Sequence, residues 1–279
     1  MAMENKAYLM EDQEEGLRLE IKTDPEALRK QAAWCGVVPG LRVLDVGCGP
    51  GKTSTILYDL VQPGGEVVGI DFSEQRISRA RERYGSRSGL SFDVHDFTKP
   101  IEYKGHFDLI WVRFVLEYHL LQSRNIVRIL TEGLRPGGLL CLIDLDCNCL
   151  NHYELPSGLE KILFKLMDKL QAEFDFDPYA GRKLYSHLYD LGYQDIQVDL
   201  TAHHLFYGEI GAQDVFNWIK KVEITTRKAG ELFEDYPGGG EAFFQDFRTF
   251  FLDPRRFTYS PLILCKGRKP SRPGAGGET

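Results

Sequence analysis

This sequence lacks any apolar run that is long enough to span a bilayer, which takes about 20 consecutive residues. Its start at Met1 also lacks the charged and apolar pattern of a secretory signal peptide. We therefore expect a cytoplasmic chain that has no membrane partner.

Dense clusters of lysine and arginine are also missing before the last residues of the chain. The 34 Lys and Arg residues are outnumbered by 41 Asp and Glu, which gives a net charge of −7. Proteins that bind nucleic acid backbones usually carry a basic patch, so we expect no nucleic acid partner. A small molecule is the expected substrate, and nothing in the sequence indicates an oligomeric state.

Cysteine pairs with the usual zinc spacing are absent as well. The chain has six scattered cysteines, and Cys147 and Cys149 are the ones that lie close together. A structural zinc site needs four ligands and usually a Cys-x-x-Cys pair. We therefore expect reduced thiols that serve a structural role.

What the sequence does contain is a short apolar run followed directly by spaced glycines. Val43, Leu44 and Val46 have the length and character of a buried parallel strand, and Gly47, Gly49 and Gly51 follow it. Glycines at such a turn let a ligand approach the backbone closely. A bound phosphate is disfavoured by Asp45, and a dinucleotide fingerprint would need a glycine in place of Lys52.

The segment Val-Leu-Asp-Val-Gly-Cys-Gly-Pro-Gly at 43–51 resembles the first motif of the class I S-adenosylmethionine-dependent methyltransferases. Phe-Asp-Leu-Ile at 107–110 and Leu-Arg-Pro-Gly-Gly at 134–138 also resemble segments of that family. The resemblance extends from Leu41 to Asp146. It implies an α/β fold with a doubly wound, seven-stranded and mostly parallel sheet whose last strand is antiparallel.

The resemblance also implies the activity and the cofactor. We expect methyl transfer from S-adenosylmethionine to an O or N atom of a small-molecule acceptor, with S-adenosylhomocysteine as the product. Two alternatives remain: a catalytically inactive S-adenosylmethionine-binding module, and a nucleotide-dependent oxidoreductase, which Lys52 and Asp45 disfavour.

Apolar stripes at helical spacing, which a Rossmann-like core does not need, lie outside the resemblance and predict helical cap insertions. The expected organisation is an N-terminal segment and helix that cover the cofactor, 1–36; a methyltransferase domain, 37–149, 181–200 and 256–268; cap insertions, 150–180 and 201–255; and a disordered tail, 269–279. Contacts of Tyr8 or Arg18 with the cofactor are a further hypothesis.

The cofactor site is predicted from acids that end successive strands. Asp71 follows Gly51 by about 20 residues, where doubly wound folds place an acid that binds the ribose hydroxyls. The resemblance assigns Asp96 to the adenine amino group and Phe97 to the adenine ring. The alternative roles are a helix cap for Asp71 and a solvated loop acid for Asp96. The complete predicted set is Asp45, Gly47, Cys48, Gly49, Pro50, Gly51, Thr53, Asp71, Phe72, Arg76, Asp96, Phe97, Val112, Arg113 and Phe114.

The acceptor is expected beside the segment that follows the fourth strand. Here the chain departs from the Leu-Glu-His pattern of the family, because Tyr118 replaces the histidine and His119 comes one residue later. His119 is the candidate general base, with ordinary packing as its alternative role. The predicted acceptor pocket contains Tyr118, His119, Phe164, His203 and His204.

No metal is predicted at the site. Related enzymes of the catechol type hold magnesium between acids at the ends of the fourth and fifth strands. This chain has Asp144 and Asp146 after the fifth strand, but Arg113 after the fourth. A metal clamp would therefore lack half of its ligands.

Overall fold

The computed structural model describes residues 24–228 and 230–271. Tyr8, Arg18 and residues 272–279 of the predicted tail lie outside the described residues. The strands are β1 Arg42–Val46, β2 Glu66–Asp71, β3 Leu90–Val94, β4 Phe107–Arg113, β5 Leu134–Leu145, β6 Asn151–Tyr153, β7 Gln194–Phe206 and β8 Phe257–Arg268. The α-helices are α1 Pro25–Cys35, α2 Lys52–Val61, α3 Glu74–Tyr84, α4 Ser123–Gly133, α5 Ser157–Phe174, α6 Leu184–Asp190, α7 Ala212–Lys228 and α8 Gly239–Leu252.

The described strands form a single sheet in which β3, β2, β1, β4, β5 and β8 lie side by side in that order. The pairs among the first five of these strands are parallel, and β8 runs antiparallel to β5. β7 pairs antiparallel with β8. The predicted doubly wound α/β fold with an antiparallel last strand is therefore confirmed.

Two strand predictions need correction. The described sheet has eight strands and not seven, because Asn151–Tyr153 pairs with Phe257–Tyr259, where β8 extends beyond β5. β7 also continues to Phe206, whereas its predicted end is Leu200 and the following residues are assigned to the cap. A bulge at His203, opposite Pro261 and Ser260, lets the pairing continue past the proline.

The N-terminal helix begins and ends as its sequence predicts. The Asp24 carboxylate accepts hydrogen bonds from the backbone N–H groups of Glu26 and Ala27, and Pro25 occupies the first turn. Gly36 ends the helix with a φ of 87°, which favours glycine. The helix packs on the sheet through Ala32 and Cys35.

Buried side chains form three clusters within the described residues. One covers a face of the sheet under α4 and α6, and another covers the opposite face under α1, α2 and α3. The third lies among α5, α7 and α8 and is rich in aromatic residues. Tyr118 and Leu150, from the segments that follow β4 and β5, pack against this third cluster. The three helices therefore form a cap at the carboxyl ends of the parallel strands.

The predicted disordered tail begins too early. Lys269 continues the fold, because its Nζ donates hydrogen bonds to the carbonyl oxygens of Thr131 and Leu134, both at 2.7 Å. Its backbone also exchanges hydrogen bonds with Gly137 and Gly138.

All six cysteines lie within the described residues and are free thiols, as expected. In the described part of the chain, no helix combines the length and the apolar character that crossing a membrane requires.

The cap core generates a stability prediction. Phe251 is fully buried, and its ring stacks on Trp218 at 5.1 Å and on Phe247 at 5.8 Å between centroids. We expect Phe251→Ala to lower the free energy of unfolding by about 3–5 kcal/mol, because it leaves a cavity among these rings. Leu252→Ala, at a neighbouring position that is 43% exposed, is the control. Urea unfolding checks both variants, and equal losses would contradict the assignment of Phe251 to the cap core.

Candidate active site

The glycine turn after β1 is fixed by hydrogen bonds to the end of β2. The carbonyl oxygen of Ile70 accepts from the N–H groups of Gly47 and Cys48 at 2.8 and 3.0 Å. Gly47, Gly49 and Gly51 all have positive φ values, from 55° to 89°. A Cβ atom on Gly47 would lie 2.5 Å from Cγ2 of Val115, so the close approach of the segment after β4 requires glycine.

Asp71 joins this turn to the start of α3. Its Oδ2 accepts from the N–H of Gly49 at 2.9 Å, and its Oδ1 accepts from the N–H of Ser73 at 3.0 Å. Nη1 of Arg76 lies 3.7 Å from Oδ1. Each carboxylate oxygen has a second lone pair, so this geometry fits a bound diol in addition to the protein donors. The ribose role of Asp71 stays a prediction, and Ser73 provides the cap of α3.

Asp45 is buried behind the glycine turn. Its Oδ2 accepts a hydrogen bond from Oγ of Ser54 at 2.6 Å. Burial raises the pKa of Asp45 to about 7, although the hydrogen bond from Ser54 and the charge of Arg113 oppose this shift. The neighbouring Cys48 is also buried, and burial raises the pKa of its thiol.

The loop after β3 separates the two residues that are predicted to hold adenine. Asp96 is exposed, and its Oδ1 accepts hydrogen bonds from the N–H and the hydroxyl of Thr98. Burial would raise the pKa of Asp96, but the Thr98 hydrogen bonds outweigh it and lower that pKa. Phe97 is buried in the core and meets the ring of His119 edge-on at 5.4 Å between centroids. The adenine roles stay predictions.

At the end of β4, Arg113 and Phe114 lie between the N-terminal helix and β7. Nε of Arg113 donates to Oε1 of Gln31 at 3.0 Å, and its guanidinium lies 4.0 Å from the centre of the Phe114 ring. Burial lowers the pKa of Arg113 to about 10, against the charges of Asp45 and Asp144. Phe114 has a φ of 58°, an uncommon conformation for a bulky residue that often occurs at functional sites.

A network of buried acids holds the segment after β4 to the segment after β5. Oδ2 of Asp144 accepts from the N–H groups of Leu116 and Glu117 at 2.9 and 3.2 Å. Burial, followed by the charge of Glu117, raises the pKa of Asp144. Oε2 of Glu117 accepts from Nδ2 of Asn148 at 2.9 Å. This network fixes Tyr118 and Asn148 side by side at the carboxyl edge of the sheet.

Most of the predicted cofactor residues lie at or after the ends of β1, β2, β3 and β4, which are parallel and so end at one edge of the sheet. Pro50 is buried in the turn after β1, and Thr53 is half-buried in the first turn of α2. Phe72 is 42% exposed and lies 5.4 Å from the Arg76 guanidinium, whereas Val112 is buried in the core.

A cavity opens between this edge and the cap. The space between its lining residues measures about 700 Å³, which includes solvent at the open mouth. Tyr118, Asn148 and Cys149 form the side next to the sheet, and residues of the cap form the rest. The cap residues that line it are Leu163, Leu166, Met167, Leu170, Phe176, Trp218, Lys221, Val222, Thr225, Thr226, Phe233, Phe243 and Phe247.

Of the residues predicted for the acceptor pocket, Tyr118 alone lines this cavity. Phe164 is 46% exposed on α5 and does not line this cavity, so its place in an acceptor pocket stays a prediction. The His203 and His204 side chains lie on β7, in the extension that the prediction missed. His203 packs against Phe114 at 4.9 Å and His204 against Trp218 at 5.4 Å between ring centroids.

The cavity also contains residues that sequence reasoning missed, above all Asn148, Cys149 and Lys221. Asn148 and Cys149 come within a few residues of the end of β5, a position that could have indicated a site. Lys221 follows Trp218 by three residues and precedes Thr225 by four, so it shares their helix face. The sequence signal for Lys221 was a lysine on the same helix face as the buried residues of an amphipathic helix.

Comparison with known proteins identifies the family. A family profile described as a methyltransferase domain matches residues 38–197, which is more than half of the chain. The chain therefore belongs to the class I S-adenosylmethionine-dependent methyltransferase family, as the glycine turn and the sheet order indicate. Its cofactor is S-adenosylmethionine.

An uncharacterized methyltransferase of Schizosaccharomyces pombe is 44% identical over 69 residues, which cover 24% of this chain and 46% of that relative. The demethylmenaquinone methyltransferase of Lactococcus lactis is 29% identical over 227 residues, which cover 79% of this chain and 77% of that relative. The chain thus spans less than half the length of the Schizosaccharomyces pombe relative.

Among solved structures, geranyl diphosphate methyltransferase in complex with S-adenosylmethionine is similar in fold, with a TM-score of 0.53 and 15% identity over 95% of each chain.

The raised pKa of Asp45 generates a pH prediction. Between pH 4 and 7, native Asp45 keeps a proton that the unfolded chain has lost, so its contribution to stability falls as the pH rises. Asp45→Asn removes this titration. We expect the stability of the parent relative to the variant to fall by up to about 1.4 kcal/mol per pH unit across this window and to level off above it.

Urea unfolding at a series of pH values measures this difference. Asp59→Asn is the control, because Asp59 is an exposed acid paired with Arg87 on the surface. Parallel stability curves for the parent and Asp45→Asn would contradict the raised pKa.

Proposed function

We propose that this protein transfers the methyl group of S-adenosylmethionine to an O or N atom of a small-molecule acceptor. The observation that carries the proposal is that the glycine turn with Asp71 and the cap cavity both lie at the carboxyl edge of the sheet, where open α/β sheets bind ligands. The cofactor would occupy the crevice at the glycine turn, and the acceptor would occupy the cavity. An open cavity favours transfer over an inactive binding module.

The residues present fit this cofactor. Gly47, Gly49 and Gly51 present backbone without side chains at the turn, and Asp71 presents a fixed carboxylate beside it. Asp71 would hold the ribose, and Asp96 with Phe97 would hold the adenine. When bound, S-adenosylmethionine supplies an electrophilic methyl group on a sulfonium.

The chain's own contribution to transfer is mainly positioning. Holding a nucleophile in line with the group it attacks accounts for much of the rate of such displacements. Tyr118 lines the cavity where it meets the sheet, and an aromatic ring near a cation offers about 0.5–2 kcal/mol of favourable electrostatics. The apolar side chains of the cap would help to exclude water from a bound acceptor.

The acceptor class is tested by incubating the purified chain with isotope-labelled S-adenosylmethionine and a size-filtered extract of small molecules. We expect the label in a small product, and nuclear magnetic resonance of that product separates O- and N-methyl from C-methyl groups. This distinction matters because one relative is named a C-methyltransferase. A C-methyl product would contradict the proposed acceptor atom, and cofactor binding without any transfer would favour the inactive module.

Asp71 generates a prediction for cofactor binding. We expect Asp71→Ala to weaken S-adenosylmethionine binding by about 1.5–3 kcal/mol, because charged hydrogen bonds are lost at a buried site. Isothermal titration calorimetry measures the affinity, and Asp59→Ala serves as the exposed control. Unchanged affinity in Asp71→Ala, or tighter binding of NAD than of S-adenosylmethionine, would overturn this role.

A second prediction separates Tyr118 from His119. The His119 side chain packs against Phe97 and does not line the cavity, and burial lowers its pKa. We expect His119→Ala to stay within a few-fold of the parent in kcat, whereas Tyr118→Leu should raise the KM for the acceptor. The assay uses the acceptor identified above. A loss of about a hundredfold in His119→Ala, with a parent rate that rises with pH below 6.5, would instead make His119 the general base.

A further inference from the structure

Lys221 places a positive charge in the wall of the cap cavity. The side chain is half-buried on α7, and its Nζ donates to Sγ of Cys149 at 3.1 Å. The ammonium also lies 5.9 Å from the centre of the Trp218 ring. In the described part of the chain, no carboxylate lies within 4.0 Å of this ammonium, whereas the adjacent Lys220 pairs with Glu223 at 3.2 Å.

This arrangement leaves the ammonium poorly solvated by the protein. A lysine ammonium has three N–H donors, and a thiol is a weak acceptor. An ammonium whose protein acceptor is a weak one keeps N–H donors for solvent or for a bound anion. The geometry is therefore suited to a ligand that brings an anionic group to Nζ.

The rest of the cavity wall is apolar and is suited to an apolar part of the same ligand. Apart from Lys221, most of the side chains that line the cavity are aliphatic or aromatic. Burial of apolar ligand surface against such a wall stabilises a complex by about 25 cal/mol per Å². Cys149 follows Asn148 directly, so Lys221 lies at the end of the cavity next to Tyr118 and Asn148 and not at the outer end.

We propose that the cap cavity binds an amphipathic carboxylate, whose anionic group contacts Lys221 and whose apolar body lies among the aromatic side chains of the cap. We take the methyl acceptor to be one such carboxylate, and this part of the inference rests on the proposed function. The carboxylate lies near Tyr118 and Asn148, where the cap meets the edge of the sheet that holds the cofactor site. Specificity then depends on both charge and apolar length.

The test is isothermal titration of the full chain, without cofactor, with three ligands of equal length: decanoate, decanol and decylamine. We expect decanoate to bind about tenfold more tightly than decanol, as a charge-assisted hydrogen bond predicts, and decylamine to bind most weakly. Lys221→Met should make the decanoate and decanol affinities equal. Lys220→Met, which removes the neighbouring charge outside the cavity lining, should keep the preference.

A second variant shows where the ligands bind. Thr225→Trp fills the cavity from the same helix and should weaken decanoate and decanol alike. Circular dichroism and urea unfolding confirm that each variant folds. The inference is overturned if decanoate does not bind, if it binds no better than decanol, if Lys221→Met and Lys220→Met lose the preference equally, or if Thr225→Trp leaves binding unchanged.

Titration of S-adenosylmethionine into the same variants separates this inference from the proposed function. Loss of decanoate binding in Lys221→Met with normal cofactor affinity assigns the effect to the cavity. A parent chain that binds decanoate but not S-adenosylmethionine would remove the proposed function and leave the carboxylate site in place.

Discussion

The carboxylate of Asp71 is the contact on which the candidate site depends. It connects the N–H of Gly49 to the N–H of Ser73, and so joins the glycine turn after β1 to the beginning of α3. Both N–H groups are at chain turns, where a buried donor without a partner costs about 1–3 kcal/mol. This buried acid therefore holds the glycine turn in place.

Buried acids also determine how the site is electrostatically balanced. Asp45 and Asp144 lie near the ends of β1 and β5, the strands on either side of β4, and Arg113 at the end of β4 is close enough for its charge to interact with both. Burial raises the pKa of both acids, so they approach neutrality, and the same burial lowers the pKa of Arg113. Each shift favours the neutral form of its group. A group that is closer to neutral costs less free energy to bury behind the site of a cationic cofactor.

The cap is stabilised separately, by aromatic packing. Trp218, Phe247 and Phe251 stack on one another within a cluster that is distinct from the two sheet-face clusters. Its contact with the sheet runs through Tyr118 and Leu150. Substitutions on the cavity side of the cap can therefore change the acceptor without changing the glycine turn, which explains how one cofactor frame can support different substrates.

The sequence by itself determined the features that are local in the chain. The apolar strands, the glycine turn, the capped start of α1 and the acids that end β2 and β5 can all be read from neighbouring residues. Their partners in the sheet followed because parallel strands with helical connections have few possible arrangements. The position of Asp71 at the glycine turn could be predicted for the same reason.

Tertiary structure decided what depends on residues that are distant in the chain. β6 has three residues, too few to show a period, and it exists because β8 extends beyond β5. Glu117 meets Asn148 31 positions away, and Cys149 meets Lys221 72 positions away. The stripe on α5 predicted a buried face, but the packing of α7 and α8 left Phe164 outside and placed Lys221 inside the cavity. Hydrophobic periodicity shows that a face is buried, whereas the orientation of neighbouring helices determines which side chains share a cavity.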